Sequence, residues 1–376
     1  MTTTEQQYFA LMRAALWQQP VEFDGAPDWK GIMGIARHHT TEVLVADVAS
    51  RLSGDNAPSD ALLREMKASM RANLINQLEL KQILTTAITA LRDKGIEPVL
   101  LKGFSLALLY PNPNLRQFGD IDLFVGLQQF HEACKVLRTL PGGYNWGDVV
   151  DSGRHYNIEF GHHPMEVHRV SADIENPKDL AIYANIEQDG LVGNRQTINF
   201  EGFPLPVPSK EFTVFFTFLH AWEHFLITGV GWRQISDLAM CLHTYLHQPT
   251  ASQTAPFDLD KLRSWITSMH LMEPWQAFGL LMVNYIGLPS SETPFYDPSC
   301  ARRAQKLYDR VMAEGNFRRP NRFKYRKPKG RIAKKTHAFV GIFIDFFQLA
   351  KVFPKQAFQE LNSALKTSFS KNFQKK

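Results

Sequence analysis

Apolar residues recur every three or four positions through the first quarter of the chain, and this spacing predicts amphipathic helices over residues 4–19, 29–53 and 58–94. Leu80, Leu84, Ala87, Ile88 and Leu91 form one such stripe. Ser59 or Asp60, just ahead of Ala61-Leu62-Leu63, supplies an N-cap. After Gly95 the period shortens. The run Ile96 to Lys102 is a short apolar strand ended by Gly103, residues 105–109 make a helical turn, and Pro111-Asn-Pro-Asn stops it. A second strand is expected at 119–125 and a helix at 127–140, followed by short strands at 144–150, 155–161 and 164–170. The segment 196–207, broken by Glu201-Gly202, reads as a hairpin, and Lys210 to His247 and Leu259 to Tyr285 read as long helices. The pattern divides into a helical region 1–94, an α/β core 95–208, a helical domain 209–317 and a Phe-rich helical tail 318–376.

The 376 residues are 44% hydrophobic and 21% charged, which excludes collagen, a disulfide miniprotein and a wholly disordered chain. Cys134, Cys241 and Cys300 are scattered and form no metal-ligand spacing, so free thiols in a reducing compartment are expected. The start of the chain lacks the basic and apolar stretches of a secretory signal, and no window reaches the roughly 20 apolar residues of a membrane span. A cytoplasmic location without a transmembrane segment follows as the expectation. The net charge of +5 hides an asymmetry: residues 318–376 carry 16 Lys and Arg against two acids, Asp345 and Glu360. A basic tail on an acidic body points to a polyanionic contact, whether RNA, an anionic membrane surface or a phosphorylated substrate.

Gly119-Asp120-Ile121-Asp122-Leu123 carries the sharpest chemistry. Residues two apart on a strand share a face, so both carboxylates emerge together while Ile121 and Leu123 pack behind them. Adjacent carboxylates on a buried strand resist ionisation unless a cation compensates, and an all-oxygen ligand set suits Mg2+. Upstream, Leu101-Lys102-Gly103-Phe104-Ser105 runs from a strand through glycine into a helix, a turn whose backbone can approach a phosphate. Arg116 stands just ahead of the acidic strand, and Met165-Glu166-Val167-His168 places Glu166 and His168 on one face of another.

Taken together, Leu-Lys-Gly, Leu-Tyr-Pro-Asn-Pro, Arg116, Gly-Asp-Ile-Asp-Leu and Glu166-x-His168 resemble the uncharacterised bacterial nucleotidyltransferases of the polymerase-beta-like superfamily, over most of residues 25–245. The turn departs from the superfamily's usual one: Gly103 is followed by Phe104, and Ser105 comes one place later. The resemblance implies an α/β (α+β) nucleotidyltransferase fold, a mixed sheet flanked by helices. It also implies transfer of NMP from an NTP, ATP among the candidates, to an acceptor. Asp120, Asp122 and Glu166 would be the catalytic carboxylates and hold two Mg2+ ions, with Mn2+ as a substitute. Lys102, Gly103, Ser105 and Arg116 would bind the nucleotide, and His168, Arg233 and Asp237 would line the cleft. The acceptor stays open between a small molecule, a sugar phosphate, a peptide and RNA, as does a non-catalytic nucleotide- or RNA-binding module.

Other motifs compete. His220-Ala-Trp-Glu223-His224 matches the H-x-x-E-H pattern of inverted zinc metallopeptidases, against a plain cleft-lining helix. Arg233 and Asp237, one turn apart, read most simply as a helix-surface ion pair. His162-His163 reads as an exposed turn, and Asp148 and Asp151 are alternative third carboxylates. Arg322, Lys324 and Arg326 alternate with Phe323 and Tyr325, a pattern that can follow a nucleic-acid backbone. Phe339, Phe343, Phe346 and Phe347 give an apolar face for the body or for an anionic membrane.

Overall fold

The computed structural model describes residues 1–144 and 153–316, apart from 175, 201 and 248–255, and beyond 316 only 330, 340, 346, 347, 349–359 and 361. Asp148, Asp151, most of the expected strand 144–150 and the alternating basic and aromatic residues 322–326 lie outside the described residues. In chain order the elements begin with helices α1 (Thr3–Trp17), α2 (Trp29–His38), α3 (Glu42–Ala49) and α4 (Asp60–Arg92). The central part holds β1 (Val99–Leu100), α5 (Phe104–Ala107), β2 (Ile121–Phe124), α6 (Gly126–Arg138), β3 (Gly143–Tyr144), β4 (His155–Phe160) and β5 (His163–His168). Then follow α7 (Pro177–Glu187), the hairpin β6 (Gln196–Phe200) and β7 (Phe203–Val207), α8 (Lys210–Ile227), α9 (Trp232–His247), α10 (Leu259–Ser268), α11 (Met272–Leu281) and α12 (Ala301–Glu314).

The α/β expectation holds. Five strands form a mixed sheet in the order β1-β2-β5-β4-β3, in which β2 and β5 are parallel neighbours and the other pairs are antiparallel. The expected hairpin is present, with Gln196 opposite Val207 and Phe200 opposite Phe203. Ser59 caps α4 through its hydroxyl, which accepts from the Leu62 amide.

Three expected long helices are instead pairs. The stretch 29–53 breaks at Thr40, whose φ is +56°, because the Thr41 amide and hydroxyl both turn back onto the Ala36 carbonyl. The stretch 210–247 breaks at Gly229-Val230-Gly231, where a side chain on Gly231 would press on Asn316 and the His39 carbonyl. The stretch 259–285 breaks at His270, φ +58°, with the Leu271 amide reaching back to Ile266. Hydrophobic spacing continues through all three breaks, so periodicity could not reveal them. Helices α7 and α12 lie outside the expected elements, although Ala304, Leu307, Tyr308 and Val311 of α12 follow the same three-and-four spacing.

Two apolar cores result. One joins α1–α3 to α8–α12 and includes Tyr8, Phe9, Phe218, Trp232 and Trp275. The other wraps the sheet with the stripe Leu80, Leu84, Ala87, Ile88 and Leu91, the α6 residues Phe130 and Leu137, and Leu205 and Val207 of the hairpin. The 33-residue α4 spans both, contributing Met66 to the first and its C-terminal half to the second. No described helix is long and apolar enough to cross a membrane.

Candidate active site

The two central strands bring the acidic residues together. In the parallel register of β2 and β5, Asp122 stands beside Glu166 and Phe124 beside His168. Asp122 and His168 are fully buried, whereas Glu166 and Asp120, which precedes β2, reach toward solvent. The His168 Nε2 lies 3.0 Å from one oxygen of Asp122 and 3.4 Å from Glu166. The Lys102 ammonium lies 2.9 Å from Asp120 and 3.1 Å from the other oxygen of Asp122.

Charge therefore alternates across the site, and the compensating cation expected from the sequence is in part the chain's own. Burial alone would raise the Asp120 pKa, but Lys102 outweighs it and holds the carboxylate well below its usual range. Glu166 is held low in the same way, burial opposing and the His168 hydrogen bond and Lys102 prevailing. On Lys102, burial is outweighed by Asp120, Asp122 and Glu166, which keep the ammonium charged. His168 is raised, because its bonds to Asp122 and Glu166 overcome its burial.

Beside this cluster the chain turns at Gly103, with φ +78° and ψ −111°, before entering α5. An added Cβ would meet the Asp120 carbonyl and the Phe118 ring only at ordinary contact distance, so glycine is required by the backbone conformation rather than by space. Arg116 does not face solvent. Its guanidinium is buried, donates to the Gly103 carbonyl at 3.1 Å, and forks onto the two oxygens of Asp237 at 2.6 and 2.8 Å. Tyr110 donates to the same carboxylate at 2.7 Å, and Arg233 approaches it at 3.4 Å. The expected surface pair of Arg233 and Asp237 is thus corrected to a buried network, because α9 packs its Asp237 face onto the Gly103 turn. The Ser105 hydroxyl is buried, with no hydrogen-bond partner among the described residues.

Two cavities flank the cluster, and Lys102, Asp120 and His220 line both. The larger, about 690 Å³, lies over Gly103, Arg116, Arg233 and Asp237. The smaller, about 260 Å³, lies on the side of Glu166, His155, Arg154 and Glu223. His155 faces His168 across β4 and β5 and went unnoticed in the sequence, since nothing there sets which residues pair between strands.

His220 and His224 do meet, Nε2 to Nε2 at 3.2 Å, and burial keeps both imidazoles neutral, His224 down to about 4. Glu223, however, pairs with Arg154 at 3.1 Å, and neither histidine joins any of the three-ligand groups found among the described residues. The zinc-peptidase arrangement is not assembled. His162 is exposed as expected, but His163 is buried, with Nε2 2.8 Å from Glu79 of α4.

A family described as uncharacterised nucleotidyltransferases matches residues 25–265. No curated protein matches the chain. The crystal structure of an antigenic nucleotidyltransferase-like protein from Paracoccidioides brasiliensis is similar at 13% identity and a TM-score of 0.32, over 58% of this chain and 96% of that one.

Proposed function

The chain belongs to the family of uncharacterised nucleotidyltransferases, and from that premise we propose that it transfers NMP from an NTP to an acceptor at the Asp120, Asp122 and Glu166 cluster. One observation carries this reading: Asp120, just ahead of β2, lines both cavities, Glu166 on the parallel neighbour β5 lines the smaller, and Asp120 converges with the buried Asp122 on one cation, the Lys102 ammonium. Oxygen donors drawn onto a positive charge in this way fit hard divalent cations. Asp120, Asp122 and Glu166 would hold Mg2+, two ions by the superfamily pattern with Mn2+ as substitute, which would supply charge neutralisation and a more acidic acceptor hydroxyl.

The remaining work falls to the chain itself. The larger cavity is of nucleotide size, within the roughly 300–1,000 Å³ typical of ligand sites. Gly103 offers a close backbone approach to the phosphates and Arg233 adds positive charge beside them, whereas the Ser105 hydroxyl is buried and lines neither cavity, so it reaches a phosphate only if the turn moves. Arg116 fixes the Gly103 turn from behind through its carbonyl. Lys102, which lines both cavities, can exchange its carboxylate partners for phosphate oxygens. His168 orients Asp122. The smaller cavity on the Glu166 side receives the acceptor. With Arg154 committed to Glu223 and the histidines neutral, that pocket favours an uncharged small molecule over RNA.

Incubation with each α-labelled NTP, Mg2+ and a cell extract tests the reading. Label should appear in a small-molecule fraction with wild type and not with Asp120→Asn. Tight NTP binding without transfer to any fraction would instead favour a non-catalytic nucleotide-binding module, and label in RNA would move the acceptor to the basic tail's side of the question.

A further inference from the structure

Away from this site, the far end of α9 presents a second convergence of ligands. His243 and His247 are one turn apart on the helix, so their rings lie on one face, with centroids 5.1 Å apart. Glu292, on the 3-10 turn Ser290–Glu292, is buried against them. One of its oxygens is 2.7 Å from His243 Nδ1 and the other 3.4 Å from His247 Nε2. All three ligand atoms fall within 4.8 Å of one another.

The tautomers make this more than a polar contact. His247 Nδ1 lies 3.0 Å from the His243 backbone carbonyl, which can only accept, so Nδ1 carries the hydrogen. In the neutral ring Nε2 is then a bare acceptor, and it faces a carboxylate oxygen, also an acceptor. Two lone pairs oppose each other unless a positive charge joins them. Among the described residues no lysine or arginine pairs with Glu292, although buried carboxylates are ordinarily paired or bound to metal.

We propose that His243 Nδ1, His247 Nε2 and Glu292 form a binding site for one late first-row divalent cation of the zinc type. Ligand atoms around a tetrahedral zinc stand about 3.4 Å apart, the spacing already present between His247 and Glu292, and the His243 contact needs to open by about 0.7 Å. A two-nitrogen, one-oxygen set suits Zn2+, Co2+ or Ni2+ and not Mg2+. The bond from His247 Nδ1 to a backbone carbonyl is the outer support that metal-bound histidines usually have. The ion would tie the end of α9 to the segment before α12. Because α9 also carries Arg233 and Asp237, the tie bears on the stability of the helix that lines the larger cavity. This site is independent of the proposed transfer reaction.

The test uses the full chain, stripped with a chelator and held in millimolar Mg2+; the His155, Glu166 and His168 group, which Mg2+ does not block against Zn2+, is common to wild type and variants and cancels in their comparison. Zn2+ is titrated by calorimetry, and the visible spectrum of bound Co2+ is recorded, for wild type, His247→Ala and Glu292→Gln. His247 is exposed on a helix, so its alanine variant keeps the fold even where the Glu292 variant does not. Wild type should bind one more equivalent of Zn2+ than His247→Ala, and its melting temperature should rise with Zn2+ in a way the variant loses. His162→Ala should keep that equivalent, which separates this site from the Glu79 and His163 pair. Equal stoichiometry and equal thermal response in wild type and His247→Ala overturn the proposal. So does a wild type that takes up no Zn2+ at about tenfold excess over micromolar protein, which would mean that a proton on His247 bridges the pair instead.

Discussion

The Lys102 ammonium sits 3.1 Å from the fully buried Asp122 carboxylate, whose second oxygen lies 3.0 Å from His168. One oxygen of the central carboxylate is hydrogen-bonded to His168 and the other has only the Lys102 charge beside it, with no hydrogen bond, so a divalent ion competes with a lysine for that second oxygen. Lys102→Met removes that competitor while keeping the stem. The variant should bind Mg2+ at lower concentration than wild type, read from the Mg2+ dependence of its melting temperature, yet lose NTP turnover if, as proposed, the same ammonium serves the phosphates. An unchanged Mg2+ midpoint would show that Lys102 does not occupy the cation's place.

The two strand aspartates should differ when neutralised. Asp120 is about a third exposed and Asp122 not at all. Asp120→Asn should abolish transfer with little loss of stability. Asp122→Asn should abolish transfer and also cost about 3 kcal/mol, because Lys102 and His168 lose a buried charged partner. Urea melts beside the labelling assay check this, and equal stability of the two variants would sink the distinction.

Arg116 and Asp237 should behave as supports of the Gly103 turn. Arg116→Lys cannot reproduce the two-pronged bond and leaves the Gly103 carbonyl without its donor. The expected result is a lower melting temperature and a raised KM for NTP, with kcat changed less than KM. A fall in kcat alone at constant KM would place Arg116 in contact with the reacting phosphate instead.

Stability should have an acid limb set by this cluster. The folded-state pKa values of Asp120 and Glu166 are depressed, so the stability they contribute is complete above the ordinary carboxylate range near about 4 and is lost as pH falls through the lower folded values. Without Lys102 the depression shrinks, and in Lys102→Met the added acid-range stability should be smaller. Urea midpoints taken at successively lower pH in chelator measure it; superimposable wild-type and variant curves would count against the ion pairs.

The basic tail decides between acceptors. Replacing Lys324, Arg326, Lys327 and Lys329 with Gln should leave NTP binding unchanged, with no loss of small-molecule labelling. RNA as acceptor would instead appear as micromolar tRNA binding with a salt slope of about −0.7 per phosphate contact, lost in the four-site variant.

Much of the site was legible because its chemistry is local. Asp120 with Asp122, and Glu166 with His168, share faces by strand alternation, and Lys102-Gly103 marks a turn by composition alone. Arg116 and Asp237 were visible as residues but not as partners, since 121 positions separate them. His155 and Glu292 carried no signal, since their neighbours come from other elements; His243 and His247 are spaced one helical turn apart in the sequence, but nothing there brings Glu292 to them.

The sequence by itself determined the elements with an internal rhythm: the helical stripes, the short strands, the 196–207 hairpin and the pairing of acids along one strand. Tertiary structure alone decided that β2 and β5 are parallel neighbours with Asp122 beside Glu166, that Lys102 lies between two carboxylates, and that the long apolar runs break at Thr40 and His270, whereas the break at Gly229–Gly231 also carries its glycines as a local signal. The reason is physical. Periodicity records which face of an element is buried, whereas register, counter-charge and helix breaks depend on which distant backbone and side-chain groups satisfy one another once that face is covered.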